Sequence, residues 1–388
     1  MTYPLLKGVL FFAILGCLGM SPAAGKQEPS GKQKPAGRLE PSALRSLADK
    51  HKLPFGTAAP IALLRGGADG GSFPAVAASE FNVIEPENDF KPPAVWSGPG
   101  EYNWENLDWL LGQPGKTGWA QANKVRVRGH VLVYARDDGY TLPDWIRKQE
   151  SEITPAQARQ YLRDYIYAVA GRYKGKVFAW DVINEAIADG ETKNPYNLRD
   201  SFWFRKLGVD FIKLAFQYAH EADPKAELYI NEYGAEGLGR KSDSILALLR
   251  WLKSEKIPVT GAGMQYHLSA TSSVRPGDAY YQNARRLRAA GFAFQITELD
   301  VSVPVSDPKT GYLPVSPRDL QAQADVYGSV LELALSSANC RGFQVWGFTD
   351  SHSWIPGFSP GKGAATILDN LYRTKPAYSR LQERLLAK

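Results

Sequence analysis

The chain has 388 residues, 44% of them hydrophobic and 22% charged, the composition of a folded globular protein with a sizeable core. That length exceeds an ordinary domain and fits one large α/β barrel with extensions as well as it fits two domains. A formal charge of +6, from 46 basic and 40 acidic residues, is too near neutral to argue for a nucleic-acid surface.

Residues 1–24 read as an export signal: Lys7 supplies a positive start, Val9 to Leu18 is apolar, and Ser21-Pro22-Ala23 offers small residues at a cleavable spacing. The apolar run is too short to span a bilayer. Ile14-Leu15-Gly16-Cys17 resembles a lipoprotein cleavage box, and its use would make Cys17 a lipid anchor. Both outcomes give a secreted protein, extracellular or periplasmic, free or tethered. Cys340 is the only other cysteine, so the mature body has no internal disulfide, and Cys340 reads as an inert core thiol. Residues 25–40 are polar and rich in Gly and Pro, a flexible linker that cannot bury enough surface to order itself. No second break in composition occurs downstream, so residues 41–388 are expected to form one domain, and a monomer is expected.

Within it, short apolar runs alternate with amphipathic stretches, the pattern of a parallel sheet with crossover helices. Strands are expected at Pro54–Ala58, Phe81–Ile84, Val125–Val133, Val177–Ile183, Glu227–Ile230, Gly261–Gln265, Ala293–Thr297 and Gly342–Trp346. Helices are expected at Thr154–Tyr173, Phe202–Ala222, Ser242–Ser254, Ala279–Ala290, Asp319–Ser336 and Ala377–Leu386. Eight strands with intervening helices fit a closed (β/α)8 TIM barrel better than an open sheet. In such barrels the reactive residues sit at the C-terminal face of the strands.

The residues at and just past the end of each strand are therefore informative. The second strand delivers Glu87, Asn88 and Lys91, the third His130 and Tyr134, the fourth Asn184 and Glu185, and the fifth Tyr233. The sixth delivers Gln265 and His267, the seventh Glu298 and Asp300, and the eighth Trp346 and, beyond it, Trp354. Any one of these is most simply a strand-end cap or a turn. Their joint arrival at one rim needs another cause. Glu185 and Glu298 each end a buried run on strands lying across the mouth. Two such carboxylates are what glycosidic hydrolysis needs, one to protonate the leaving oxygen and one to trap the oxocarbenium-like centre. A metal is the weaker reading, because His220-Glu221 lacks a second histidine and no cysteine cluster exists. Phosphate-cradling glycine motifs and nucleophile elbows are also missing from the sequence. No metal or other cofactor is expected.

Trp180-Asp181-Val182-Ile183-Asn184-Glu185-Ala186 and Ile296-Thr297-Glu298-Leu299-Asp300 resemble the two active-site signatures of family 10 glycoside hydrolases, the endo-β-1,4-xylanases. Arg128-Gly129-His130, Gln265-Tyr266-His267-Leu268 and Val345-Trp346-Gly347 add matches in the family's order. The resemblance runs from about residue 42 to 384. It implies a retaining mechanism on xylan or xylo-oligosaccharides, with Glu298 as nucleophile and Glu185 as acid/base. It further implies that Asn184 binds the sugar 2-hydroxyl, that His267 and Asp300 orient Glu298, and that Trp346 and Trp354 wall the central subsites. Glu87, Asn88, Lys91 and His130 would hold the non-reducing side.

The chain departs from the family at Tyr134, where Trp is usual, at Ala135, where His is usual, and in the longer loop Arg136–Leu142. Tyr266 replaces a small residue and is expected to narrow the cleft. Two alternatives stay open on these grounds: a hydrolase for another β-linked glycan or a short xyloside, and a surface glycan-binding protein without catalysis.

Overall fold

The computed structural model describes residues 43–66, 69–305 and 315–387, which belong to one compact unit running from Leu39 to Lys388. The leader over 1–24 and the linker over 25–40 lie outside the described residues. Among those described, no helix is long and apolar enough to cross a membrane.

Eight strands form the frame: β1 (Phe55–Ala58), β2 (Val83–Glu85), β3 (Arg126–Tyr134), β4 (Val177–Asn184), β5 (Glu227–Glu232), β6 (Gly261–Met264), β7 (Ala293–Pro304) and β8 (Cys340–Val345). Each pairs in parallel with its neighbour in sequence, and β8 closes the ring onto β1 with Phe55 opposite Phe343. This is the expected (β/α)8 barrel. Its strands read as apolar runs because helices cover the outside and side chains fill the inside. Strand ends differ from the sequence reading mainly at β7, which continues to Pro304 and pairs with His267–Ser269 and Lys362–Gly363. Glu298 and Asp300 therefore sit inside a long buried strand and inherit its rigidity.

Crossover helices form where periodicity and caps predict them. Thr154 accepts from the Gln157 amide and Gln157 reaches back, a capping box that starts Pro155–Arg172. The single helix expected over Phe202–Ala222 is instead two, Phe202–Leu207 and Asp210–Ala222, broken where Gly208 takes φ 58°. Apolar spacing continues across that glycine, so periodicity alone does not show the break. The last helix, Pro376–Leu386, is tied to the first described helix, Leu44–Lys50, because Tyr378 donates to Glu80 (3.0 Å) and Glu80 also accepts from the Leu44 amide (2.9 Å).

Cys340 opens β8, and burial pushes its thiol up to about 12, so it stays protonated and unreactive.

Candidate active site

At the C-terminal rim of β5, β6 and β7, Glu298 is held on both oxygens. Asn231 Nδ2 donates to Oε1 (2.7 Å) and His267 Nε2 lies 3.3 Å from Oε2. Asn231 reaches it because Gly263 leaves room: a Cβ at that glycine would lie 2.4 Å from Asn231 Oδ1. Burial alone would raise the Glu298 carboxyl. The His267 hydrogen bond, the positive fields of His130 and His267, and the Asn231 amide together outweigh it and hold Glu298 below the usual carboxylate range. His267 is itself oriented from behind, with Nδ1 2.9 Å from Asp300 Oδ2, which also accepts from the Trp354 indole N–H (2.8 Å). Burial pulls His267 down, but Asp300 and Glu298 carry it well above its ordinary value. The result is an anionic Glu298 on a protonated His267.

Glu185 follows β4 in a left-handed backbone turn (φ 53°), an unfavourable conformation for a side chain with a Cβ. The turn is pinned by its amide on the Asn231 carbonyl (3.0 Å) and by Arg199 Nε on the Glu185 carbonyl (2.9 Å). Its carboxyl meets donors only: the Tyr134 hydroxyl (2.7 Å) and Gln265 Nε2 (3.3 Å) on Oε1, and Arg136 Nη1 (3.1 Å) on Oε2. An amide chain joins the two carboxylates, since Gln265 and Asn231 both donate to Asn184 Oδ1. The Asn184 Nδ2 group is buried with no hydrogen-bond partner among the described residues.

Both carboxylates open on a cleft of about 570 Å³, a size suited to a few sugar units. Ten of the residues singled out in the sequence line it, including Lys91, His130, Tyr233, Trp346 and Trp354. Trp354 rests edge-on against His267 (5.0 Å). Tyr233 is fixed by Lys241 over its ring (3.4 Å) and by hydrogen bonds with Asp189 (2.5 Å) and Arg199 (2.7 Å). Four residues are not on the cleft wall. Asn88 is exposed and links Glu87 to Lys91, donating to Glu87 (3.0 Å) and accepting from Lys91 (2.7 Å). Asn184 and Asp300 lie beneath the surface.

The expectation for Tyr266 is corrected. It is buried, takes φ 61°, donates its amide to Glu236 (3.1 Å) and packs on Tyr280, so its bulk points into the core and not into the cleft. The sequence reading also missed Arg136, Tyr140 and Phe358 on the cleft wall and Asn231 on Glu298. Asn231 was legible as a polar residue ending β5. Phe358 carried no signal.

Beneath the cleft, Glu85, His130 and Asp181 come close enough to suggest a metal site. Arg128 already occupies that space, with Nη1 2.6 Å from Glu85 and 2.5 Å from Asp181. The fully buried guanidinium bridges both carboxylates, and burial pushes the Glu85 carboxyl up to about 7, which makes this an ion-paired floor. It orients His130, whose Nδ1 lies 2.9 Å from Asp181.

A sequence profile described as glycosyl hydrolase family 10 matches residues 43–384. Endo-1,4-beta-xylanase B of Thermotoga neapolitana is 32% identical over 308 residues, covering 79% of this chain and 82% of the relative. Endo-1,4-beta-xylanase A of Humicola insolens is 34% identical over 309 residues, covering 80% of this chain and 75% of the relative. The crystal structure of xylanase 10B from Thermotoga petrophila in complex with xylobiose superposes with a TM-score of 0.80 at 31% identity. It covers 90% of this chain and 99% of that one.

Proposed function

The chain belongs to glycosyl hydrolase family 10, and from that premise we propose that it is a retaining endo-β-1,4-xylanase. The observation that carries this reading is the pairing of an anionic, doubly held Glu298 with a Glu185 ringed by hydrogen-bond donors. In the first step a Glu298 oxygen bonds to the anomeric carbon as the bond to the leaving sugar oxygen breaks. Glu185 gives that oxygen its proton. Forming the ester removes the Glu298 charge, and the proton transfer leaves Glu185 as a carboxylate able to act as base. In the second step Glu185 takes a proton from water, the hydroxyl adds to the anomeric carbon, and Glu298 leaves as carboxylate. Two inversions restore the original configuration. The free Asn184 Nδ2 donor suits the sugar 2-hydroxyl, and Trp346 and Trp354 leave little room for a hydroxymethyl group, which favours xylose over glucose.

The test is product analysis on soluble xylan by anomer-resolved NMR. Initial release of internal cleavage products in the β configuration is expected, and α products at early times would overturn the retaining mechanism. A second reading, cleavage of another β-linked glycan, draws on Tyr134 and Arg136 beside Glu185. Faster turnover of mixed-linkage glucan than of xylan would favour it.

Lys7, the apolar run from Val9 to Leu18 and the Cys17 box support export, free or lipid-tethered. Fractionation of cells expressing the full chain and its Cys17→Ala form distinguishes the two fates.

A further inference from the structure

A second aromatic surface lies far from the cleft. The helix Glu105–Leu111 stops where Gly112 takes φ 76°, the chain loops through Gly115 (φ 77°), and a short helix resumes at Trp119–Ala122. The loop pinches shut at its base, since a Cβ on Gly118 would lie 2.3 Å from the Gly112 nitrogen. This fold-back sets Trp109 and Trp119 near-parallel (21°), with ring centroids 6.1 Å apart. Both rings are partly buried against the core, and they border an open cavity of about 580 Å³. Among the described residues, neither indole N–H has an acceptor. The rim is polar and balanced in sign: Arg65 pairs with Glu105 (3.2 Å) and lies over the Trp109 ring (5.4 Å), while Asp108, Gln113 and Lys116 complete it.

We propose that this cavity is a second glycan-binding site, which holds a β-1,4-linked pyranose chain of the polysaccharide substrate outside the catalytic cleft. The inference rests on the family reading for the identity of the glycan. A pyranose has an apolar C–H face, which suits an aromatic ring face, and an equatorial belt of hydroxyls, which suits a polar rim and two free indole donors. An apolar partner would leave that rim unpaired, and a nucleic acid would need an excess of positive charge that Glu105 and Asp108 cancel. Position gives the site its use. The Trp119 helix leads into the entering end of β3 at Arg126, and Tyr134 at the other end reaches the cleft. Eight residues of strand separate the two by about 26 Å. A polymer can bridge that distance and a disaccharide cannot, so the second site raises the local concentration of long chains only.

The test uses the full chain, its Trp109→Ala/Trp119→Ala form and a Thr117→Arg form that blocks the cavity from an exposed loop position. Two readouts are compared: depletion of protein by insoluble xylan, and turnover of a soluble chromogenic xylobioside that fits only the cleft. Both variants are expected to lose about tenfold in polymer binding, as expected for removal of a Trp anchor, with xylobioside turnover unchanged. If the double Trp variant unfolds in a thermal melt, Thr117→Arg decides alone. Unchanged polymer binding in the folded variants overturns the second site. Absence of xylobioside turnover in the unaltered chain would instead overturn the proposed xylanase activity and leave the binding result to stand by itself.

Discussion

The two walls of the catalytic cleft are built differently. On one, Glu298 sits within a long buried strand, its partners Asn231, His267 and Asp300 come from β5 to β7 or the turn after β6, and Trp354 closes the relay. On the other, Glu185 sits in a strained turn, and its charged partner Arg136 comes from a loop and is 41% exposed. The chemistry explains the difference. A nucleophile needs one protonation state and one position, so rigid buried partners serve it. An acid/base must gain and lose a proton each turnover, so partners that can shift with substrate suit it better.

The contrast is sharpest in the carboxylates themselves. Glu298→Ala should abolish turnover, on the order of 10⁵-fold, because no other group can form the ester. Binding of xylo-oligosaccharide, read by calorimetry, should persist, and lost binding would mean that Glu298 chiefly holds the site together. Glu185→Gln should lower xylan hydrolysis by about 10³-fold, within the usual range for an acid/base. Formation of the glycosyl-enzyme from a xyloside with an acidic phenol leaving group should be far less affected, which a pre-steady-state burst of phenol would reveal. Equal losses on both substrates would contradict the acid role.

Smaller effects probe the supporting groups. His267→Asn removes a charged hydrogen bond worth about 1.5–3 kcal/mol, so kcat/KM should fall about 10- to 100-fold. The Glu298 carboxyl is held below its ordinary value partly by His267. Removing that partner raises it, so the acid limb of the pH–kcat/KM profile should move to higher pH. An unmoved limb would show that His267 does not set the charge of Glu298. Arg136→Gln should have the smallest effect, below about tenfold, because a pair with a half-exposed guanidinium is screened by water. Its signature is a fall in kcat on xylan, because Arg136 Nη1 lies 3.1 Å from Glu185 Oε2 and helps to fix where that carboxyl points. Unchanged turnover would reduce Arg136 to a spectator.

Much of this site was legible from residues that end apolar runs. Glu185, His267 and Trp346 each lie past a strand and Glu298 ends the apolar run Ala293–Thr297 visible in the sequence, and a parallel barrel delivers such ends to one mouth. Contacts from residues off that pattern were not legible. Arg136 and Tyr140 lie in a loop and Phe358 ends the short helix Ile355–Phe358, segments whose path depends on the barrel beneath them. Tyr266 shows the opposite error. It stands one residue before His267 in the chain, yet its left-handed backbone sends the side chain into the core. Adjacency in sequence said nothing about which way it pointed.

The sequence by itself determined the alternation of strands and helices, and with it the barrel. Burial of apolar periodic segments is a local property multiplied eight times, and the ring closes where β8 pairs with β1. It also determined which carboxylates stand at the rim. Tertiary structure alone decided their states. Glu298 is anionic because His267, His130 and Asn231 converge on it from β6, β3 and β5, and Glu185 meets Arg136 because a loop folds over the mouth. Electrostatic energy depends on distances of a few ångströms between residues far apart in the chain, as with Asn231 Nδ2 2.7 Å from Glu298 across 67 positions. No linear pattern encodes those distances; the closed barrel does.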